Sequence, residues 1–301
     1  MSKFRTKNDS HSTVKTVQSV GCQQSLSPIF AAMKELLYFV FAVVLISCTQ
    51  TEPAESETAP PKEKVELNPI QKIEEAHSKQ DFLSKDVVQF DIILKFGGTE
   101  RLNGSMTLAT NSSRGHISYE NGKDLYFDQN KVFVSPETEN TASARFSAYT
   151  WQYFFLFPYK LSDPGTNWSK VTEANLNGNV YNSQKLTFGD GVGDAPDDWY
   201  ITYSDSESNL MEVAAYIVTA GSTVEEAEED PHAISYHDYK DVDGIVLAHS
   251  WQFREWRKDS GLTRQLGSAE LSNFKFIEAD KSDLLAPEGS IEIEQFNYPI
   301  P

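Results

Sequence analysis

Cysteine is almost absent from this sequence, which holds only Cys22 and Cys48 among its 301 residues. The chain after residue 48 can therefore form no disulfide and offers no thiol nucleophile. Catalytic signatures are missing from this part as well, because it contains no G-x-S-x-G, H-E-x-x-H, Walker or C-x-x-C motif. These absences exclude thiol catalysis, and a hydrolase stays open only if a nucleophile and a base meet in space.

Basic residues are scarce relative to acidic ones, at 26 against 44. Residues 1–47 contain five of the basic and two of the acidic residues, so the rest of the chain carries 21 against 42, a net charge of −21. Phosphate backbones are bound by clustered Lys and Arg, which argues against a nucleic-acid partner.

No apolar run reaches the roughly 20 residues that a membrane-spanning helix needs. The run at residues 36–47 (LLYFVFAVVLIS) has 12 residues, follows Lys34 and ends in Leu-Ile-Ser-Cys at residues 45–48. This ending resembles a bacterial lipobox, and the whole pattern predicts a signal peptide cut before Cys48, which becomes acylated. A buried core helix is the alternative, but such a helix would show polar positions at helical spacing.

The residues around this signal suggest where the chain starts and where it goes. Met33 directly precedes Lys34, so residues 1–32 are interpreted as a disordered extension ahead of the true start. Residues 48–67 are rich in Pro, Glu and Thr and are typical of an acidic tether. Thr49 follows the cysteine in place of the aspartate that signals inner-membrane retention, which favours the outer membrane of the cell envelope.

A single folded domain is predicted over residues 68–301. Asn68, Pro69 and Gln71 suit the N-cap, first turn and capping box of a short helix ending near Asp81. An alternating strand follows, with apolar residues at every second position: Val88, Phe90, Ile92, Leu94 and Phe96.

Turn signals then recur at short intervals and predict an antiparallel meander. They are Gly97-Gly98, Asn103-Gly104, Asn121-Gly122, Asn177-Gly178 and Asp243-Gly244. Later strands are predicted at residues 179–188, 199–203, 211–219, 245–256 and 268–276. No alternation of strands and helices occurs, so the fold class is mainly β, a curved antiparallel sheet or incomplete barrel.

An aromatic segment at residues 141–160 interrupts the meander and has helical length. At helical spacing it carries two apolar stripes, one of Phe146, Tyr149, Tyr153 and Phe157 and one of Trp151, Phe154 and Phe155. A helix that is apolar on two sides must be buried on both. We expect it to lie inside the curl of the sheet with the first stripe facing inward, either lining a ligand cavity or forming a plain core.

Together these features resemble the LolA/LolB-like periplasmic lipoprotein carriers and receptors. Residues 239–247 (YKDVDGIVL) look like a late strand pair of that superfamily, although Ala248 stands where a proline is expected. Residues 157–161 (FPYKL) with Asp163-Pro164 look like a functionally uncharacterised lipoprotein family that shares this fold. The resemblance implies an incomplete barrel whose apolar concave face is lidded by helices, and fold alone does not transfer function.

Acidic residues near residue 190 are the only candidate metal ligands. They are Asp190, Asp194, Asp197 and Asp198, with glycines among them. Such oxygens suit Ca²⁺, but the spacing is not an EF-hand and an acidic loop without metal is the alternative. No other cofactor is expected. The acidic run at residues 225–230 is interpreted as a solvated loop, and His249 as partly buried.

Two functions therefore stay open beside the hydrolase. The first is a non-enzymatic, lipid-anchored binding lipoprotein that holds an acyl chain or another lipoprotein's lipid. Its cavity would be lined by Phe90, Ile92, Leu94, Phe146, Tyr149, Trp151, Tyr153, Phe157 and Trp251. The second is a structural or assembly lipoprotein with a solid core, with or without calcium.

Overall fold

The computed structural model describes residues 66–135, 143–279 and 284–293. Every described residue belongs to one compact unit, which begins at Glu63. The predicted signal peptide, Cys48 and the tether up to residue 65 lie outside the described residues.

Within the described residues, fourteen strands form one antiparallel sheet. In chain order they are β1 (Val87–Phe96), β2 (Thr99–Ala109), β3 (Arg114–Tyr119), β4 (Asp124–Asp128), β5 (Lys131–Val134), β6 (Thr166–Trp168), β7 (Thr172–Leu176), β8 (Asn179–Phe188), β9 (Tyr200–Asp205), β10 (Met211–Tyr216), β11 (His232–Val242), β12 (Ile245–Arg257), β13 (Gly261–Ile277) and β14 (Ile291–Ile293). Across the sheet the order is β14-β5-β4-β3-β2-β1-β13-β12-β11-β10-β9-β8-β6, with β7 paired to β8. The described sheet is open, because its outer strands β14 and β6 do not pair with each other.

Four α-helices accompany the sheet in the described ranges: α1 (Pro69–Ala76), α2 (Lys79–Leu83), α3 (Ala144–Leu156) and α4 (Val224–Glu229), with a 3-10 turn at Phe157–Tyr159 after α3. None of them is long and apolar enough to span a membrane. Rings of α3 contact Phe90 on β1, Phe127 on β4, Tyr200 on β9 and Phe253 on β12. Strands so far apart in the order can meet one helix only if the sheet curls around it. The predicted fold class is confirmed.

The first helix begins as predicted but ends earlier. Asn68 and Gln71 form the expected capping box. The prediction of a single helix ending near Asp81 was wrong. Helix α1 ends at Ala76, and Ser78 takes a left-handed φ of 57° before α2 begins. The break places His77 in the interior, where its Nε2 accepts a hydrogen bond of 3.0 Å from the backbone N–H of Met211.

The alternation predicted for β1 is confirmed, because Val88, Phe90, Ile92 and Leu94 are fully buried on one face. These four side chains join the main hydrophobic cluster, which also contains the buried residues of α3. The concave face of the sheet and α3 therefore share one core.

Four of the five predicted turns connect strands as expected. Asn103-Gly104 is the exception, because both residues lie within β2. Gly104 faces β3 so closely that an added Cβ would lie 1.9 Å from the carbonyl oxygen of Ser118. This glycine permits close strand approach instead of a turn.

The later strands lie where the sequence placed them, with shifted ends. β8 matches its predicted bounds, whereas β13 begins at Gly261 instead of residue 268. The acidic run predicted as a loop is instead α4, whose Thr223 and Glu226 form a capping box. Its Glu228 accepts a hydrogen bond of 2.9 Å from Trp199 Nε1, so this run is partly structural.

Candidate functional site

The site is the concave face of the sheet together with α3, which fills it. On one side of α3, Phe155 packs on Phe90 of β1 with ring centroids 4.4 Å apart. On the other side, Phe154 packs on Tyr216 of β10 at 5.0 Å and on Phe253 of β12 at 5.7 Å. One broad face of α3 is thus deeply buried, whereas the all-round apolar sequence predicted burial on two sides.

The two aromatic stripes are exchanged relative to the expectation. Trp151, Phe154 and Phe155 are the deeply buried ones and meet the concave face. Phe146, Tyr149 and Tyr153 are only partly buried at the edge of the core. Ala144 and Ala148, both fully buried, explain the difference, because their small side chains extend the second stripe and let α3 approach the sheet.

Among the described residues, the predicted cavity residues come together in the main hydrophobic cluster or pack against it. Phe90, Ile92, Leu94, Phe157 and Trp251 are all fully or nearly fully buried. Between Trp251 and the 3-10 turn lies a void of about 10 Å³, which is room for about one water molecule. In this conformation α3 therefore occupies the space that a ligand would take.

A larger concavity of about 230 Å³ opens at the edge of the sheet. Tyr126 and Phe133 line it from β4 and β5, and Leu285 and Pro287 line it from the segment before β14. Pockets for drug-sized ligands usually measure about 300–1,000 Å³, so this concavity is shallow for such a ligand.

Buried hydrogen bonds fasten the C-terminal end of α3. Tyr236 donates from its hydroxyl to the carbonyl of Phe154 at 2.9 Å, and Tyr159 donates to the carbonyl of Val246 at 3.2 Å. The Tyr159 ring also stacks on Phe82 of α2, with centroids 3.9 Å apart. This end is thus held by both polar and aromatic contacts within the core.

An ion pair at the rim fastens the N-terminal end. The Arg145 side chain is 3% exposed, and its Nε lies 3.1 Å from both carboxylate oxygens of Asp194. Arg145 also donates to the carbonyl of Asn130 at 2.9 Å and lies over the ring of Tyr149. Asp194 is 33% exposed, so one partner is inside the protein and the other is at the solvent edge.

Two of the four aspartates proposed as calcium ligands, Asp194 and Asp198, make other contacts. No group of three or more His, Cys, Asp or Glu is placed to hold a metal ion among the described residues. Asp194 binds Arg145, and Asp198 accepts from the backbone N–H and the hydroxyl of Thr219 at 2.8 and 2.7 Å. Burial raises the pKa of Asp198 to about 6, and the bonds from Thr219 oppose that rise. Asp194 and Asp198 therefore have separate structural contacts.

Several polar groups of this site were missed by sequence reasoning. Arg145 gave a signal, because it is the one charged residue within the aromatic segment before Lys160. Trp151 Nε1 and Gln152 Oε1 are buried without a hydrogen-bond partner among the described residues. His249 is partly buried as predicted, and its ring meets Phe274 edge-on at 4.8 Å.

The open, curved antiparallel sheet with a helix in its concave face is a LolA-like fold. Three solved structures are similar to it. A LolA superfamily protein from Nitrosomonas europaea is 10% identical, with a TM-score of 0.49, over 73% of this chain and 99% of that chain. A domain from Vibrio parahaemolyticus assigned to outer membrane lipoprotein sorting is 10% identical, with a TM-score of 0.45, over 72% and 97%. A DUF1329 family protein from Desulfovibrio piger is 12% identical, with a TM-score of 0.40, over 73% and 100%.

The chain belongs to the family of unknown function DUF6503, whose model matches residues 72–252. This match spans the strands from β1 into β12 and includes all of α3. No curated protein sequence matches the chain.

Proposed function

We propose that this chain is a lipid-anchored binding lipoprotein of the outer membrane, held by Cys48, that takes up an apolar ligand between α3 and the concave face. The ligand would be an acyl chain or the lipid of another lipoprotein, and no reaction would be catalysed. The observation that carries the proposal is α3 itself, an aromatic helix inserted as a separate element into the curl of an open sheet.

Displacing α3 would uncover a continuous apolar surface. The buried rings and aliphatic groups of β1 and β12, including Phe90, Ile92, Leu94 and Phe253, would line one wall. Each methylene of an acyl chain buried there contributes about 0.8 kcal/mol, so a chain of ordinary length could replace the contacts that α3 gives up. The filled interior means that uptake depends on movement of this helix.

The filled interior also favours a second candidate, the structural or assembly lipoprotein. If α3 never leaves the sheet, its aromatic rings are simply core and the void of about 10 Å³ admits nothing larger than water. The two candidates differ in one measurable property, which is whether the domain takes up an apolar molecule.

We expect a chain beginning at Glu63, which keeps the whole compact unit, to bind cis-parinaric acid saturably in a fluorescence titration. Tyr153→Asp should abolish this uptake while the far-UV circular dichroism spectrum is retained, because Tyr153 is only half-buried beside Phe157 and Tyr200. A carboxylate at that position would have to lose its hydration to contact an acyl chain, which disfavours binding.

The matched control is Tyr126→Asp, which introduces the same charge on β4. The Tyr126 ring stacks on His116. It should leave uptake unchanged. Absence of uptake by the unaltered chain, together with unfolding of the Tyr153→Asp variant, would establish the structural candidate instead.

A further inference from the structure

The two ends of α3 are fastened in different ways. The C-terminal end is held by bonds from Tyr236 and Tyr159 that lie in the core, where the Tyr236 bond is fully buried. The turn that follows is also fixed, because Phe157 is fully buried and Tyr159 is 3% exposed. Opening at this end would have to break buried hydrogen bonds and aromatic packing together.

The N-terminal end packs through the fully buried Ala144 and Ala148, and Ser147 hydrogen-bonds the side chain of Tyr119. The other described contacts of this end lie at the rim. Ser143, the N-cap residue, makes no side-chain capping bond. Tyr149 donates to the carbonyl of Gln129 at 3.1 Å in an exposed position. The strongest contact is the Arg145–Asp194 pair, whose carboxylate is reached by solvent. Water can replace these bonds as they break, which lowers the cost of opening here.

Asp194 belongs to the connection between β8 and β9, residues 189–199, which is anchored independently of α3. Asp198 in the same connection accepts two hydrogen bonds from Thr219, three residues after the end of β10. Gly189 donates its N–H to the carbonyl of Gly165 at 2.9 Å. The position of the Asp194 carboxylate is thus fixed by contacts that do not involve α3.

We propose that the β8–β9 connection is a latch on α3, that Asp194 is its contact residue, and that α3 opens from its N-terminal end about a hinge at Phe157–Tyr159. This inference rests on the proposed function for its purpose, since an opening of that direction would uncover the concave face. The geometry of the latch itself involves no ligand.

Hydrogen exchange followed by mass spectrometry tests the latch in the chain beginning at Glu63, without ligand. Asp194→Asn keeps the shape of the side chain and removes the charge facing Arg145. We expect amide exchange in residues 148–152 to accelerate by at least about tenfold, which corresponds to about 1.4 kcal/mol, while residues 157–160 stay protected.

Asp190→Asn is the matched control, because it makes the same charge change in the same connection and Asp190 has no described bond to α3. It should leave exchange unchanged, and Asp194→Glu should restore most of the protection. Tyr236→Phe removes the bond to Phe154 and should accelerate exchange at residues 157–160 without affecting residues 148–152.

Equal acceleration of both ends by Asp194→Asn, or no acceleration, would overturn the latch. Uptake of cis-parinaric acid by the unaltered chain separates this inference from the proposed function. Uptake without an effect of Asp194→Asn rejects the latch alone. The expected exchange pattern without any uptake rejects the binding function and leaves the latch as a local property of α3.

Discussion

His77 is a buried imidazole that must stay neutral. It accepts a hydrogen bond from Met211 N–H at 3.0 Å, and its ring lies edge-on to Tyr159 and Tyr239. Burial lowers the pKa of His77 from 6.5 to about 3, with a hydrogen bond to the backbone of Val246 acting in the opposite direction. One side chain thereby ties the end of α1 to β10 and β12 and makes that tie sensitive to acid.

The contribution of His77 to the stability of the domain should therefore fall as the pH falls from about 6.5 toward 3. The raised pKa of Asp198 acts in the opposite direction. The folded-state pKa of His77 lies below the ordinary value, so the unfolded chain binds the proton more tightly in this window. The contribution of His77 is complete above pH 6.5, and its loss should be on the order of 3–5 kcal/mol. Urea unfolding at pH 7 and pH 4 measures it.

His77→Gln is the control, since its amide oxygen can still accept from Met211. This variant should lose most of the difference between the two pH values. A pH profile identical to that of the unaltered chain would assign the acid sensitivity to other groups.

At the scale of the element, the sequence predicted the position of α3 correctly but predicted the wrong face of the helix to meet the sheet. The aromatic segment predicted its existence. Which stripe faces the sheet depends on Ala144 and Ala148, whose value as small contact residues appears only when the sheet is present. Helical periodicity gives the stripes but does not say what each one meets.

Replacing rings on the two stripes should measure their difference. Phe155→Ala removes contacts with Phe90 and Phe274 and should cost about 3–5 kcal/mol in the free energy of unfolding. Phe146→Ala, on the same helix but only partly buried, should cost roughly 1 kcal/mol. Urea denaturation compares them, and equal losses would contradict the observed orientation of α3.

Other features depend on partners that are distant in sequence. The Arg145–Asp194 pair joins residues 49 positions apart, and the acidic composition of the connection suggested cations because nothing local identified a buried arginine as its partner. The turn predicted at Asn103-Gly104 was wrong for a similar reason. Asn-Gly is a strong turn signal, and the packing role of Gly104 is visible only in its contact with β3. Local patterns such as the α1 capping box and the β1 alternation, in contrast, were confirmed.

At the scale of the whole molecule, the predicted anchor would hold the domain at a membrane. Residues 36–48 have the pattern of a lipoprotein signal. A single myristoyl-length chain binds a membrane only marginally, whereas two or more acyl chains anchor stably. Cys48→Ser should therefore move the protein from the membrane fraction to a soluble or unprocessed form on fractionation. Membrane-derived mature protein carrying an unmodified Cys48, shown by intact mass, would refute the anchor.

The pairing of β1 with β13 has a consequence for how this chain is made. Ile92 on β1 pairs with Leu271 on β13, 179 positions later, and β1 joins the β2–β5 half of the sheet to the β8–β13 half. Closing so long a loop is slow, because its entropy cost is offset only when β13 is available to pair with β1. The two halves therefore stay unjoined until the C-terminal part of the chain has been synthesised. If the predicted signal peptide directs export, a chain in that state could pass through a narrow translocation channel and would complete its sheet after crossing.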